Sequence, residues 1–299
     1  MTAGAIPLFV NPVAGRGRAG KKCRSIIALL GAAGIEVEKI ESRGVGDMED
    51  QVLARSRAGS AAIIVVGGDG SVHEAVNGIL GSGESTTLGL VPVGTGNDFA
   101  KACDIPLDWQ EACRLLASRL ASGHGGKPVD AGKMNDRYFA NGAGIGFDAK
   151  INRIASRYRL PIGDLVYLLA VFEGICDGVI TPSVRMRFDG REINGPVTLA
   201  NISNGPWIGG MFHIAPGARN DDGQFDLVYA DPVSRWRVFG LLPKLMRGSH
   251  YGERDIHTAA VSRFELQSDI ALPSHLDGEV QPLQSNFRIE LLPGALSVI

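Results

Sequence analysis

The chain is defined first by what it has little of. Among 299 residues there are four cysteines, Cys23, Cys103, Cys113 and Cys176, with no C-x-x-C spacing. A chain this long needs no disulfide framework, so reduced thiols in a cytosolic protein are expected. An excess of either charge is also missing: 30 Lys and Arg stand against 32 Asp and Glu, a net charge of −2. No global field therefore draws the protein to nucleic acid or to an anionic membrane. Long hydrophobic runs are absent. The most apolar helical segment, Leu165 to Cys176, is interrupted by Glu173 and is too short to span a bilayer. Met1 to Pro7 lack the basic region and apolar core of a signal peptide. What the chain does have is glycine, 40 residues of it, and length enough for two domains and a sizeable core.

The glycines cluster where they carry chemistry. Val65-Val66-Gly67-Gly68-Asp69-Gly70-Ser71 runs a β-branched strand into bare backbone, a carboxylate and a hydroxyl. Such a turn offers amides to phosphate oxygens, and Asp69 to a metal ion or a ribose. Gly89-Leu90-Val91-Pro92-Val93-Gly94-Thr95-Gly96-Asn97-Asp98 repeats the pattern. The plainer alternative for the first is a strand-to-helix turn in which Asp69 caps the next helix. Two such turns in one domain favour a nucleotide-phosphate site.

Strand and helix alternate through the first 125 residues. Strands are expected at Pro7–Asn11, Glu36–Ile40, Ala61–Val66 and Leu88–Val91, and helices at Gly20–Ala33, Met48–Ala58, Val72–Leu80 and Trp109–Ser122. Regular alternation with continuous apolar strands implies a parallel sheet covered on both faces. Its ligands sit beyond the carboxyl ends of the strands, where the glycine turns fall. Ser122-Gly123-His124-Gly125-Gly126-Lys127-Pro128 reads as a linker. Beyond it, strands are expected at Arg137–Phe139, Val184–Phe188, Val197–Ser203, Gln224–Tyr229, Arg263–Gln267 and Phe287–Leu291, with a hairpin turn at Asp189-Gly190. Helices at Asp164–Cys176 and Arg235–Arg247 interrupt this mostly antiparallel domain, and a cleft between the two domains is a natural place for an active site.

Three further patterns are ambiguous. Gly15-Arg16-Gly17-Arg18-Ala19-Gly20-Lys21-Lys22 matches G-x-x-x-x-G-K, but Lys22 stands where a P-loop needs Ser or Thr. It also matches G-x-G-x-x-G with Glu38 or Glu41 near the dinucleotide offset, although Val13-Ala14 lengthen the turn; the alternative is a solvated basic loop. Gly142-Ala143-Gly144-Ile145-Gly146 lacks a parallel strand–helix frame, so close backbone approach at a domain interface is expected there. Arg235 to Arg247 combines cations with Trp236, Phe239 and Leu242, and Arg157-Tyr158-Arg159 is a smaller cluster of the same kind. The expectation is an amphipathic helix burying those apolar side chains in the core; a membrane-surface patch is the alternative.

Asn11-Pro12-Val13-Ala14-Gly15, Gly67-Gly68-Asp69-Gly70-Ser71-Val72-His73-Glu74 and Pro92-Val93-Gly94-Thr95-Gly96-Asn97-Asp98-Phe99-Ala100 occur in this order. Together they resemble the catalytic domain of the diacylglycerol kinase and sphingosine kinase family, in its small soluble bacterial form. Asp130-Ala131-Gly132, Asn141-Gly142-Ala143-Gly144-Ile145-Gly146-Phe147-Asp148, Asp221-Asp222-Gly223-Gln224-Phe225-Asp226 and Asp277-Gly278-Glu279 extend the resemblance over nearly the whole chain. It implies an α/β N-terminal domain with an NAD-kinase/phosphofructokinase-like parallel sheet, residues 1–126, to which the last residues return. It implies a β-sandwich lipid-substrate domain over 127–299.

The implied activity is transfer of the γ-phosphoryl group of ATP to a lipid hydroxyl, with diacylglycerol the default acceptor. By the same resemblance Gly67, Gly68, Asp69, Gly70 and Ser71 hold the nucleotide phosphates and Mg²⁺, and Asn11, Ser42, Thr95, Gly96 and Asn97 contact the nucleotide. Glu279 is implied as general base, with Asp277 beside it. Asp222 is implied as the side-chain ligand of a structural Mg²⁺, helped by carbonyls near Arg219 and Gln224. Ser71 replaces the commoner Thr, and His73 the commoner Asn; no chemistry is assigned to His73. An NAD kinase-like enzyme and a non-catalytic nucleotide-binding regulator are the alternatives. A cytoplasmic protein that meets its lipid substrate transiently at the membrane is expected, without nucleic acid as a partner, and exposed strand edges make a homodimer plausible.

Overall fold

The β-branched runs of the first third become a parallel sheet, and the alternating runs of the remainder become antiparallel ones. The computed structural model describes residues 4–123, 125–158 and 165–299. Met1 to Ala3, His124 of the expected linker, Arg159 of the small basic cluster and Asp164, the expected start of a helix, lie outside the described residues. The chain divides into two units, Met1–Asp130 with Gly294–Ile299, and Ala131–Pro293.

The first unit runs β1 (Ile6–Val10), α1 (Ala14–Ala32), β2 (Val37–Glu41), α2 (Asp47–Arg57), β3 (Ala62–Gly67), α3 (Asp69–Ser82), β4 (Thr87–Pro92), α4 (Asp98–Ala102) and α5 (Trp109–Ala121). The sheet order is β2-β1-β3-β4, every pair parallel. Residues 63–67 of β3 and 88–92 of β4 are buried, as strands covered on both faces must be. Leu8, Val10, Ile26, Leu30, Ile64, Val66 and Leu116 form one core with Ile299, because Ser297 and Val298 pair in parallel with Thr87 and Leu88. The Asp108 carboxylate caps α5, accepting from the amides of Gln110 at 2.9 Å and Glu111 at 3.1 Å.

The first helix departs from expectation. It begins at Ala14, not Gly20, and Gly15, Arg16 and Gly17 inside it stand at φ of +57°, +63° and +79°. This left-handed turn breaks the helix before it is under way; two of its three positions are glycine, which adopts such φ without a Cβ penalty.

The second unit contains β5 (Lys127–Met134), β6 (Arg137–Phe139), β7 (Gly142–Gly146), α6 (Phe147–Ala155), α7 (Leu165–Asp177), β8 (Ser183–Phe188), β9 (Arg191–Pro196), β10 (Leu199–Ser203), β11 (Phe225–Ala230), α8 (Arg235–Arg247), β12 (Ile256–Val261), β13 (Arg263–Leu272), β14 (Ser274–Leu276), β15 (Glu279–Val280) and β16 (Gln284–Val298), with the first residues of β5 and the last of β16 belonging to the first unit. One antiparallel sheet is β12-β11-β10-β7-β14-β15, and the other carries β16-β13-β8-β9. Strand β8 alternates exposed and buried residues, sending Val184, Met186 and Phe188 into the core with Phe139, Phe225, Phe264 and Phe287. The Asp189-Gly190 turn joins β8 to β9 with φ of +43° and +81°, the double left-handed geometry that a two-residue hairpin demands.

Two expectations are refined here. The close approaches of Gly142, Gly144 and Gly146 are to residues of their own unit. These glycines form β7, between β10 and β14, where a Cβ on Gly144 would lie 2.2 Å from Asp148 Oδ2 and 2.3 Å from His275 Nε2. Helix α8 packs Phe239 and Leu242, half-buried, against the core but leaves Trp236 outside it. None of its residues is buried, and Trp236 is 76% exposed.

Candidate active site

In the first unit the two glycine turns meet backbone to backbone. A Cβ on Gly94 would lie 2.5 Å from Gly68 Cα, and one on Gly68 would lie 2.8 Å from Gly94 Cα. No other residue type lets the turns approach this closely. Gly67 is constrained as well, since its Cβ would stand 2.4 Å from Ser71 Oγ. Asn97, at φ +52°, ends the second turn; its amide donates to the Gly94 carbonyl at 3.2 Å, while its buried Oδ1 has no hydrogen-bond partner among the described residues. Thr95 is exposed at the tip.

A third loop closes over these two. A Cβ on Gly15 would strike the Val93 carbonyl oxygen at 2.0 Å. Arg18 ties the loops together, donating through Nε to Gly15 O at 2.9 Å and through Nη2 to Gly94 O at 2.8 Å. The segment for which a solvated basic loop was one alternative is therefore part of the turn cluster. Asn11 opens it with an Asx turn, its Oδ1 accepting from Val13 N at 3.2 Å. Ser42 sits after β2, its amide donating to Val10 O at 2.9 Å and its hydroxyl to Gly44 O at 3.1 Å. All these loops follow carboxyl ends of parallel strands, where such sheets take ligands.

Asp69 does not cap its own helix. The N-cap of α3 is Gly68, which makes no side-chain bond, and Asp69 Oδ1 accepts from Phe99 N across the cluster at 3.3 Å. Removal from water and the charge of Asp98 push its carboxyl up to about 7, against the amides of Phe99, Asn97 and Asp98, which favour the anion. Lys101 Nζ holds Asp98 at 2.9 Å. A carboxylate this costly to ionise is one that a cation would stabilise. The next two motif residues are structural. His73 is buried one helical turn from Asn77, with Nε2 3.4 Å from Asn77 Nδ2. Glu74 reaches to the start of α2 and accepts from Gly46 N and Met48 N, each at 3.0 Å, satisfying amides that a helix start leaves bare.

In the second unit the Asp277-Gly278-Glu279 turn is held by side chains. Asp277, at φ +51°, accepts from Asn141 N at 2.7 Å, Gly142 N at 3.0 Å and Ala140 N at 3.0 Å. Its carboxylate is thus engaged with backbone from the far side of the sequence. Asn152 of α6 donates to Gly278 O and accepts from the Tyr167 hydroxyl at 2.9 Å. Gly278 N donates to His275 Nδ1 at 3.4 Å. Behind His275 stands Asp148, with Oδ2 at 3.6 Å from Nε2 and bonded to Asn201 Nδ2 at 3.1 Å. Glu279 leads away from this turn with an exposed side chain.

The Asp222 region offers fewer donors. Asp222 Oδ1 accepts from Gln224 N at 3.1 Å, and Arg219 Nε pairs with Asp221 Oδ1 at 3.2 Å. Burial and the charge of Asp222 raise the Asp226 carboxyl, a repulsion that a cation would relieve. Among the described residues no three His, Cys, Asp or Glu side chains gather so as to hold an ion. The set fits Mg²⁺ in the manner in which that ion is commonly held, through one carboxylate, with carbonyls and water completing the shell.

Arg18, Glu74 and Asn152 are the structural contributors that the sequence reading missed. Arg18 lies inside a stretch read for its glycines, Glu74 within a family motif but without a role, and Asn152 where no element was expected. Only the G-x-G-R spacing of the Arg18 loop gave any signal.

Paired glycine turns over a parallel sheet, a carboxylate strained toward neutrality between them, and an antiparallel sandwich define a phosphate-handling α/β protein. Residues 5–133 match the diacylglycerol kinase catalytic domain, and residues 142–299 the YegS C-terminal NAD kinase beta sandwich-like domain. The chain belongs to the diacylglycerol kinase family, in the bacterial form that joins these two domains. It is similar to the diacylglycerol kinase of Mycobacterium tuberculosis, 29% identical over 99% of this chain and 95% of the relative. It is 28% identical to that of Bacillus subtilis, over 91% and 88%. A crystal structure from Bacillus anthracis, of a candidate diacylglycerol kinase, superposes with a TM-score of 0.81 at 26% identity, covering 100% of this chain and 98% of the other. The family makes the chain an ATP-dependent lipid kinase with an alcohol group as acceptor. Among the described residues no helix is long and apolar enough to cross a membrane.

Proposed function

We propose that this kinase phosphorylates the hydroxyl of diacylglycerol, giving phosphatidic acid, at a membrane surface that it visits transiently from the cytoplasm. Two relatives named for that lipid, matched along most of both chains, support the acceptor. The observation that carries the donor side is the contact of the Gly68 and Gly94 turns with Asp69 between them.

In this reading the first unit binds the nucleotide and the second the lipid. The glycine-rich backbone of Gly67, Gly68, Gly70, Ser71 and Gly96 faces the phosphates, and Asn11, Ser42, Thr95 and Asn97 contact the nucleotide. Glu279 takes the proton of the lipid hydroxyl as its oxygen bonds to the γ-phosphorus; the bond to the β,γ-bridging oxygen breaks and ADP leaves. Asp277, committed to three amides, positions the turn that presents Glu279 and is not itself a base. Mg²⁺, when bound, neutralises phosphate charge; Asp69 would hold it beside the nucleotide, and Asp222 with the carbonyls of Arg219 and Gln224 would hold a structural ion.

Transfer of labelled phosphate from ATP to a panel of lipid alcohols tests this. Diacylglycerol should be the preferred acceptor, and Asp69→Ala and Glu279→Ala should each abolish the product. Preference for another lipid overturns the acceptor, and nucleotide binding without any product overturns turnover itself.

A further inference from the structure

Helices α7 and α8 carry an apolar surface that no described residue covers. On α7, Leu165, Leu169 and Phe172 are exposed at i, i+4 and i+7, with Phe172 at 58%. On α8, Trp236 is 76% exposed, with Phe239 and Leu242 half-buried beside it. The two stripes join: ring centroids lie 5.8 Å apart for Phe172 and Phe239, and 6.2 Å for Trp236 and Phe239. Between them runs a groove of about 430 Å³ lined by Leu165, Leu168, Leu169, Phe172, Phe239 and Leu242. Contiguous exposed apolar surface of this kind marks a docking face.

The charges around it select the occupant. No acidic residue lies on α8. Its cations divide into two sets. Arg237 pairs with Glu253 and Asp255, and Lys244 with Glu253, which fixes the helix to its own unit. Arg235 and Arg247, at the two ends, are exposed and make no ion pair among the described residues. The acids of α7 are occupied, Glu173 by the Tyr158 hydroxyl and Asp177 by Lys150. The face is therefore an aromatic and aliphatic ridge between two unpaired cations, the composition of a helix lying in a lipid–water interface. Tryptophan at its crest suits the headgroup level, where an apolar ring keeps a polar edge in water. A two-fold pairing of this face with a second copy would instead bring arginines together with no acid to meet them.

We propose that the α7–α8 ridge is the surface by which the protein docks on an anionic bilayer, Trp236 and Phe172 entering the acyl boundary while Arg235 and Arg247 contact lipid phosphates. This rests on the reading of the acceptor as a membrane lipid, and it assigns that encounter to particular residues, none of which is placed in the nucleotide or phosphoryl-transfer machinery.

Sedimentation with phosphatidylcholine vesicles containing phosphatidylglycerol, without ATP, tests it. The Phe172→Ser/Trp236→Ser variant should lose tenfold or more in bound fraction, and Arg235→Glu/Arg247→Glu several-fold. Trp236→Phe should still bind but lose the quenching of its fluorescence by brominated lipid that the native chain shows. Circular dichroism and activity on a detergent-dispersed short-chain diacylglycerol should match the native chain, which shows that the variants are folded. Vesicle binding unchanged in both double variants overturns the proposal. So does a dimer in sedimentation velocity that Phe172→Ser/Trp236→Ser dissociates, since the face would then belong to a second copy. If the native chain phosphorylates no dispersed lipid, the functional reading fails separately, and the vesicle comparison still decides the docking face.

Discussion

The two regions that carry the family's motifs are held in shape by opposite means. The glycine turns of the first unit are fixed by the absence of side chains, Gly68 lying against Gly94 and Gly15 against Val93, with one arginine fastening them. The Asp277-Gly278-Glu279 turn of the second unit is fixed by the presence of side chains, with Asp277 on three amides and Asn152 on the Gly278 carbonyl. The first should break when atoms are added and the second when atoms are removed. A backbone surface suits a polyanion, which many amides can share. A turn set by a carboxylate on three amides suits one side chain that must be aimed.

The sharpest contrast falls on Glu279. Glu279→Gln keeps its shape and loses the base, so kcat should fall by roughly 10²–10⁴-fold with the KM for ATP little changed in steady-state kinetics. Equal loss of ATP affinity would move Glu279 into the nucleotide site.

Removing atoms from the turn comes next. Asp277→Ala leaves amides of Ala140, Asn141 and Gly142 without their acceptor, a cost of about 1–3 kcal/mol for each group left buried and unpaired. Denaturant titration should show the loss, and Asp277→Asn, which retains one acceptor oxygen, should recover part of both stability and kcat. A catalytic base would show no such recovery.

Adding atoms to the cradle is the reciprocal test. Gly94→Ala forces the turns apart and should cost about 1–3 kcal/mol, with a raised KM for ATP. Gly31→Ala, in helix α1 with open space around it, should instead stabilise by about 0.5–1 kcal/mol. Matching outcomes for the two would remove the steric account.

The last contrast concerns Asp69 and pH. Its carboxyl is held up to about 7 in the fold, against about 4 in an unfolded chain. Between these values the unfolded state releases a proton that the folded state keeps. Stability is therefore full below about pH 4 and declines as pH rises through 7. Asp69→Asn escapes that decline. In urea titrations without nucleotide or Mg²⁺ it should match the native chain near pH 4 and exceed it at pH 8, while lacking activity.

Much of the first unit was legible because its signals are local. A β-branched run followed by glycines states both the strand and its end, so β3 and β4 fall where Val65-Val66-Gly67 and Leu90-Val91-Pro92 place them. The alternation of β8 and the Asp189-Gly190 turn are local too. What stayed hidden depends on partners distant in sequence. The grip of Asp277 spans from 135 to 137 residues, and no spacing rule announces it. Arg18 reaches a carbonyl 76 residues away. The face of α8 was misread because an apolar stripe looks the same whether it meets a core or solvent. The partners of Gly144 in β7, Asp148 and His275, come from other elements and were hidden for the same reason.

The parallel pairing of Ser297 and Val298 with β4 carries a consequence for biogenesis. The first unit is translated first, yet the edge of β4 has no strand to meet until all of 131–293 has left the ribosome. An uncovered sheet edge invites pairing with a neighbouring chain. The half that is made first is thus the last to mature, and synthesis arrested within the interposed unit would release a sticky, incomplete sheet.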